Sequence, residues 1–186
     1  RGYVVAVMDY RKGWDVLNPD QAVQTQTLLQ AAYRGIQDGR TLVRYFRATH
    51  AAQNNPYGID PSKIVMGGIG TGGYIALGMA YFTDYNEVLL PKFTDPVSGI
   101  PFVVEAVHGD IYGTNTGIIP QTGDTLSMAN YVGLSSDINM AFNLGGALGD
   151  TTWVDAGEVP TVSFHTPQDA NAPYDVGIVI VPTTGN

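Results

Sequence analysis

Five glycines in seven residues, Gly67-Gly68-Ile69-Gly70-Thr71-Gly72-Gly73, separate an apolar run ending at Met66 from another beginning at Tyr74. Lys63-Ile64-Val65-Met66 reads as a strand and Tyr74-Ile75-Ala76-Leu77-Gly78-Met79-Ala80-Tyr81-Phe82 as a helix. A strand, a tight glycine turn and a helix in immediate succession form the repeating unit of an open parallel sheet. That unit limits the fold class more than any other feature of the chain.

Its neighbours extend the pattern. Tyr3-Val4-Val5-Ala6-Val7-Met8 is a short continuous apolar run, which predicts a strand covered on both faces. Residues 12–20 read as a loop punctuated by Gly13 and Pro19. A long helix is predicted over 21–50, with Ala32, Ile36, Val43 and Phe46 near one face. Gly35 and Gly39 share that stripe and leave room for close packing, while Arg34, Gln37, Asp38, Arg40, Arg44 and Arg47 cover the remainder. Further strands are predicted at 138–144 and 160–165. Between them and the second helix, residues 83–137 are broken by Pro91, Pro96, Pro101, Pro120 and repeated glycines. A structureless loop of that length is unusual in a compact domain, so the segment reads as an irregular insertion or cap layered over the sheet edge. No internal repeat or second boundary is visible, and residues 1–186 read as a single α/β domain long enough to bury a core.

Charge and composition narrow the function. The formal charge is −8 with only nine Lys and Arg, which argues against nucleic acid, where clustered basic residues supply most of the binding. No cysteine is present, so there is no disulfide framework, thiolate metal site or cysteine nucleophile. No run approaches the ~20 apolar residues of a membrane helix. Few lysines, many Thr, Asn, Gly and Tyr, and an acidic balance point to an extracellular or cell-surface location. No signal peptide is visible, and Arg1-Gly2-Tyr3 runs straight into the first apolar stretch, so the protein's start is expected upstream.

The glycine turn itself has three readings. A phosphate-binding loop needs Lys and Ser/Thr after its last glycine, and Tyr74-Ile75 follow instead. Gly68-Ile69-Gly70-Thr71-Gly72-Gly73 does satisfy G-x-G-x-x-G. A dinucleotide fingerprint, however, belongs at the first strand of its sheet, with an acidic residue closing a second strand about 20 positions on. Asp84 and Glu87 lie in a segment with no strand before them. The third reading is the G-x-S-x-G nucleophile elbow, a strained turn that lifts one side chain above the sheet. Gly68 and Gly72 then flank the centre, where their backbones come too close for a Cβ, and the centre is Gly70. Centring on Thr71 instead would put Ile69 where a small residue is required.

Around that turn the chain resembles a known family. Gly2-Tyr3-Val4-Val5 through Asp9-Tyr10-Arg11 is similar to the "GYVVVxxDYR" strand of esterases and lipases. Ala32 to Arg40 with Val43-Arg44-Tyr45-Phe46 resembles their "QDxxAAxRYL" helix, and Tyr57-Gly58-Ile59-Asp60-Pro61-Ser62-Lys63-Ile64 resembles "YGIDPxRI" before "xGxSAGG". Pro160 to Asp169, with Pro173-Tyr174, is similar to "PxxxxHGxxDxxVPY". The likeness covers 1–82 and 138–177 in the right order, and the stretch between is unmatched. It implies an α/β-hydrolase fold of the carboxylesterase type: a mostly parallel sheet with helices on both faces, incomplete at both ends.

In that family a serine attacks an ester carbonyl, a histidine takes its proton and an acid orients the histidine. The resemblance puts Gly70 at the serine position, Asp169 at the acid position and the Thr71 backbone N–H among the oxyanion donors. It places the other oxyanion arm upstream of Tyr3 and the catalytic histidine some tens of residues beyond Asp169. His165 falls where the family carries a non-catalytic histidine, and Asp169 alone also reads as a turn cap. His108 and His50 read as surface residues, the latter suited to a helix C-terminus. Glycine cannot be acylated, and the departures at Thr71 and Thr166 favour a lineage released from catalytic constraint. Three explanations stand: a natural pseudo-hydrolase with a binding or structural role, a serine enzyme whose serine was mutated or misread, or a fragment completed by other chains. The implied ligand is a small ester or a saccharide-like molecule, with no metal or organic cofactor. Other protein chains are expected at incomplete sheet edges and at 83–137. Tyr74, Tyr81, Phe82 and Tyr85 either line the ligand crevice or, for Tyr74 and Phe82 above all, pack as core.

Overall fold

The computed structural model describes residues 2–179. Helix α1 spans Gln21–Ala52 and strand β1 Val65–Ile69; α2 spans Thr71–Tyr81 and the short α3 Glu105–His108. A small hairpin pairs β2, Gly117–Ile118, with β3, Thr125–Ser127; β4 is Met140–Leu144 and β5 Thr161–Phe164. The larger sheet has the order β1-β4-β5 and is wholly parallel, with Val65 opposite Met140 and Ala141 opposite Thr161. The protein is therefore mixed α/β with a three-stranded parallel sheet.

α1 begins where Asp20 accepts the Ala22 N–H at 2.8 Å, an N-cap that satisfies one of the first-turn donors. Its glycine stripe lets α2 approach: a Cβ at Gly35 would come 2.6 Å from Ile75 Cδ1, and one at Gly39 would come 2.5 Å from Met79 Sδ. Tyr33, Ile36 and Val43 of α1 join Ile75, Met79, Ala80 and Phe82 in the core, with Ala141 of β4 beneath them. Successive strand residues point to opposite faces, so Met66, Ala141 and Asn143 turn toward the helices while Val65, Ile69, Phe142, Val162 and Phe164 turn away and stay exposed.

Four expectations are corrected. Residues 3–8 form no strand; Val7 is 95% exposed. An apolar run becomes a strand only with a ladder partner, and the described residues give it none, so Met8 and Tyr10 merely pack against the core. The first observed strand starts two residues later than its predicted bound and takes in Gly67 and Gly68. Gly67 is needed inside the ladder because a side chain there would overlap the ring of Phe142. Helices do not cover both faces of the sheet: among the described residues, α1 and α2 lie on one side and the other is bare.

The polar residues of α1 pack against the irregular segment, and the fourth correction, at His108, follows from that packing. Arg44 is 1% exposed and donates to the carbonyls of Tyr112, Gly113 and Asn130. Gln37 Nε2 donates to the His108 and Asp110 carbonyls, each at 2.8 Å, and Arg40 donates to the Phe82 carbonyl at 2.6 Å. These donors hold the irregular residues 83–137 against α1 and satisfy backbone carbonyls that a loop cannot pair by itself. His108 is buried there rather than on the surface, its ring edge-on to Tyr33.

Candidate functional site

β1, β4 and β5 end on the same side of the sheet, as parallel strands must, and the candidate residues sit at those carboxyl ends. β1 leads into Gly70, whose φ is +54° and ψ −118°. That backbone region is open to glycine and stored as strain by any other residue. Gly70 N–H donates to the Leu144 carbonyl at 2.8 Å, and its own carbonyl accepts from Gly73 N–H at 2.9 Å. The turn is thus tied to β4 on one side and to the first turn of α2 on the other.

The surrounding glycines do different jobs. A Cβ on Gly68 would overlap the Gly72 carbonyl and come 2.6 Å from the Gly73 nitrogen. A Cβ on Gly72 would meet nothing within 4 Å, so Gly72 needs no glycine for its own sake, and only its backbone is approached. At Gly70 the Cβ direction is also empty to 4 Å. A side chain there would stand clear of the protein.

Thr71 is the first residue of α2, and its Oγ1 is 2.7 Å from the Tyr10 hydroxyl. α2 has no side-chain N-cap bond. Asp169 follows β5 and approaches the end of β4, its Oδ2 3.4 Å from the Cβ position of Gly145. Its Oδ1 accepts from Ala172 N–H at 2.9 Å and Asn171 N–H at 2.8 Å. These two backbone donors, Ala172 first, hold the carboxyl below the usual carboxylate range, and the nearby His165 adds to the effect. Asp169 therefore does cap a turn, and it does so beside the strand ends.

His165 Nε2 lies 3.7 Å from Asp169 Oδ2 and donates to the Ala172 carbonyl at 2.9 Å, with its ring edge-on to Tyr174. The ring fastens the 165–174 turn. Among the described residues no hydrogen bond joins any of the three histidines to Gly70 or Thr71. His50 stands in the last turn of α1. Tyr74, one turn past Gly70 on α2, has its hydroxyl pKa pushed up to about 12 by burial and then by Asp169.

Two residues of the site were not anticipated. Tyr10 reaches the Thr71 hydroxyl from a segment read as strand end, and no local pattern announces that 61-residue contact. Asn143 is 2% exposed; its Oδ1 accepts Gly146 N–H at 2.8 Å and its Nδ2 donates to the Gly146 carbonyl at 3.0 Å, fixing the turn after β4. A polar residue inside Met140-Ala141-Phe142-Asn143-Leu144 ahead of two glycines was the available signal. Among the described residues no cluster of three or more His, Asp or Glu is placed to hold a metal, and no helix is long and apolar enough to cross a membrane. No family model, curated protein or solved structure matches the chain.

Proposed function

We propose that the chain is an α/β-hydrolase-fold, carboxylesterase-like protein that does not turn over esters as it stands and serves as a binding or structural module. One observation supports this above the rest. A strand-to-helix turn holds its central residue at positive φ, with the Cβ direction free, and that residue is Gly70. Such a turn is costly to build for anything but presenting a side chain, and here no side chain is present.

On this reading Asp169 occupies the acid position and the Thr71 N–H an oxyanion position, inherited rather than used. An ester needs a nucleophile to form the acyl intermediate and a base to take its proton, and the chain offers neither at this turn. The ligand is a small ester or saccharide-like molecule held in the crevice at the strand ends, with no cofactor. Partner chains meet the bare sheet face or its edges, since unpaired edges invite pairing. An extracellular or surface location belongs to the same proposal.

A second reading is favoured by the empty space at Gly70, which would admit a serine without collision. It makes the chain part of a working serine esterase whose base lies beyond Asn186. Tandem mass spectrometry of the native protein separates the two through the tryptic peptide Ile64–Lys92. A mass that fits Gly70 supports the pseudo-hydrolase. One heavier by CH₂O at position 70, with downstream peptides containing histidine, overturns it.

A further inference from the structure

An open groove of about 610 Å³ runs between residues 8–11, one flank of α1 and Tyr131, and no residue of the glycine turn lines it. The α1 flank supplies Asp38, Thr41, Leu42 and Tyr45, which share a face by their spacing of three and four. Two rings make a corner of it: Tyr45 and Tyr131 have centroids 5.9 Å apart and planes at 63°. Tyr45 is held in place by Phe46, whose ring meets it edge-on at 5.5 Å, and by a bond between its hydroxyl and that of Tyr57. Tyr131 is 43% exposed, and its φ of +52° is a region that bulky residues seldom occupy. Strain of this kind gathers at ligand sites, where the surrounding structure enforces it.

The charge of the groove depends on which of its polar groups are already taken. Arg11 is the one cation among the lining residues, and it spends every side-chain nitrogen inside the protein. Its Nε donates to Asp38 Oδ1 at 2.9 Å, its Nη1 to the Leu126 carbonyl at 2.8 Å and its Nη2 to Gln37 Oε1 at 3.2 Å. Both Asp38 oxygens accept from Arg11, so that pair is closed. Thr41 Oγ1 accepts from Arg44 at 3.0 Å, and the Tyr10 and Tyr45 hydroxyls are bonded to Thr71 and Tyr57. Asp9 is left. It is exposed, and none of the four ion pairs among the described residues includes it. The groove thus offers one uncompensated negative charge, aromatic faces and few free hydrogen-bond acceptors.

We propose that this groove binds a peralkylated ammonium ion, held against the Tyr45 and Tyr131 rings with Asp9 as its counter-charge. The ring quadrupole draws a cation to an aromatic face, and a quaternary ammonium asks for no hydrogen bond in return. A primary ammonium brings three N–H donors, which Asp9 alone does not satisfy. An anion is repelled by Asp9 and finds Arg11 already paired, and an uncharged molecule forgoes the charge of Asp9 altogether. The site does not depend on what stands at position 70.

The test titrates tetramethylammonium, methylammonium and tert-butanol into the isotope-labelled protein at low salt and follows the backbone amides by NMR. Tetramethylammonium is expected to give saturable shifts centred on residues 8–11, 38–45 and 131, with the other two probes weaker by about threefold or more. Asp9→Asn keeps the shape and removes the charge, and weakens tetramethylammonium about two- to fivefold. Tyr131→Leu removes the ring and weakens it about fivefold, whereas Tyr131→Phe stays within about twofold of the parent. Asp155→Asn, at an exposed carboxylate outside the groove, leaves binding unchanged and controls for the net charge of −8. Absence of saturable shifts at the groove overturns the proposal, as does methylammonium or tert-butanol binding as tightly as tetramethylammonium. So does parental affinity in Asp9→Asn or in Tyr131→Leu; if the leucine variant fails to fold, Asp9→Asn decides.

Discussion

Gly68→Ala is the substitution that the turn tolerates least. The added methyl overlaps the carbonyl group of Gly72, which belongs to the backbone of α2 and cannot move aside as a side-chain end does. Relief requires β1 and α2 to separate, and α2 is clamped between α1 and β4 by Ile36, Ile75, Met79 and Ala141. Overpacking costs about 1–3 kcal/mol where side chains adjust. With backbone on both sides the upper end applies, about 3 kcal/mol. At a urea slope of about 2 kcal/mol per molar, the unfolding midpoint falls by roughly 1.5 M. Two neighbours serve as controls. Gly72→Ala meets nothing, sits in the first turn of α2, and is expected to raise the midpoint slightly, since alanine favours the helix by up to about 1 kcal/mol. Gly70→Ala has room but must accept φ +54°, at a cost of about 1–3 kcal/mol. The assay is urea unfolding followed by circular dichroism. A Gly68→Ala midpoint within about 0.3 M of the parent refutes the elbow geometry, and so does a Gly72→Ala midpoint that falls as far.

Three further expectations follow from the packing. Arg44→Ala leaves the carbonyls of Tyr112, Gly113 and Asn130 without their donor, and should cost about 3 kcal/mol in the same urea experiment, with Arg44→Lys recovering only part. Burial lowers the pKa of His108, outweighing the opposing effect of its contact with Val104, whose nitrogen and carbonyl oxygen lie 3.1 and 3.0 Å from Nδ1. Its contribution is full above the unfolded pKa of about 6.5 and is lost as the pH falls through that value toward the lower folded pKa. Stability measured from pH 8 to pH 4 should therefore decline below about 6.5, and His108→Asn should flatten that part of the profile. Phe164→Lys on the bare sheet face should change stability by no more than about 0.5 kcal/mol. It should also reduce self-association in sedimentation velocity, because Phe164 is 64% exposed beside Val162 and Phe142.

The sequence made the helices and the inner strands legible because each carries its own period. α1, α2, β4 and β5 all fall close to their predicted bounds, and the strand–turn–helix at Gly70 follows from glycine spacing alone. Residues 3–8 show where period fails: a continuous apolar run records a preference for burial, not the presence of a neighbour to pair with. The partners of the polar residues of α1 were not legible for a related reason. Arg40 and Arg44 bind carbonyls of residues that the chain brings back from 42 to 86 positions away. At the site, Gly70 and Thr71 were legible from the turn. Asp169 was legible both as a turn cap and as a strand-end acid, and its two backbone bonds are compatible with either role. The Tyr10–Thr71 contact was not legible, since it joins segments with no shared local pattern.

Hydrolysis of p-nitrophenyl butyrate by the purified chain, measured against buffer at pH 8, tests the central claim most directly. The account predicts a rate no greater than buffer, because Gly70 presents no nucleophile. Saturable turnover that a fluorophosphonate blocks, with the adduct carried on this chain, would contradict it.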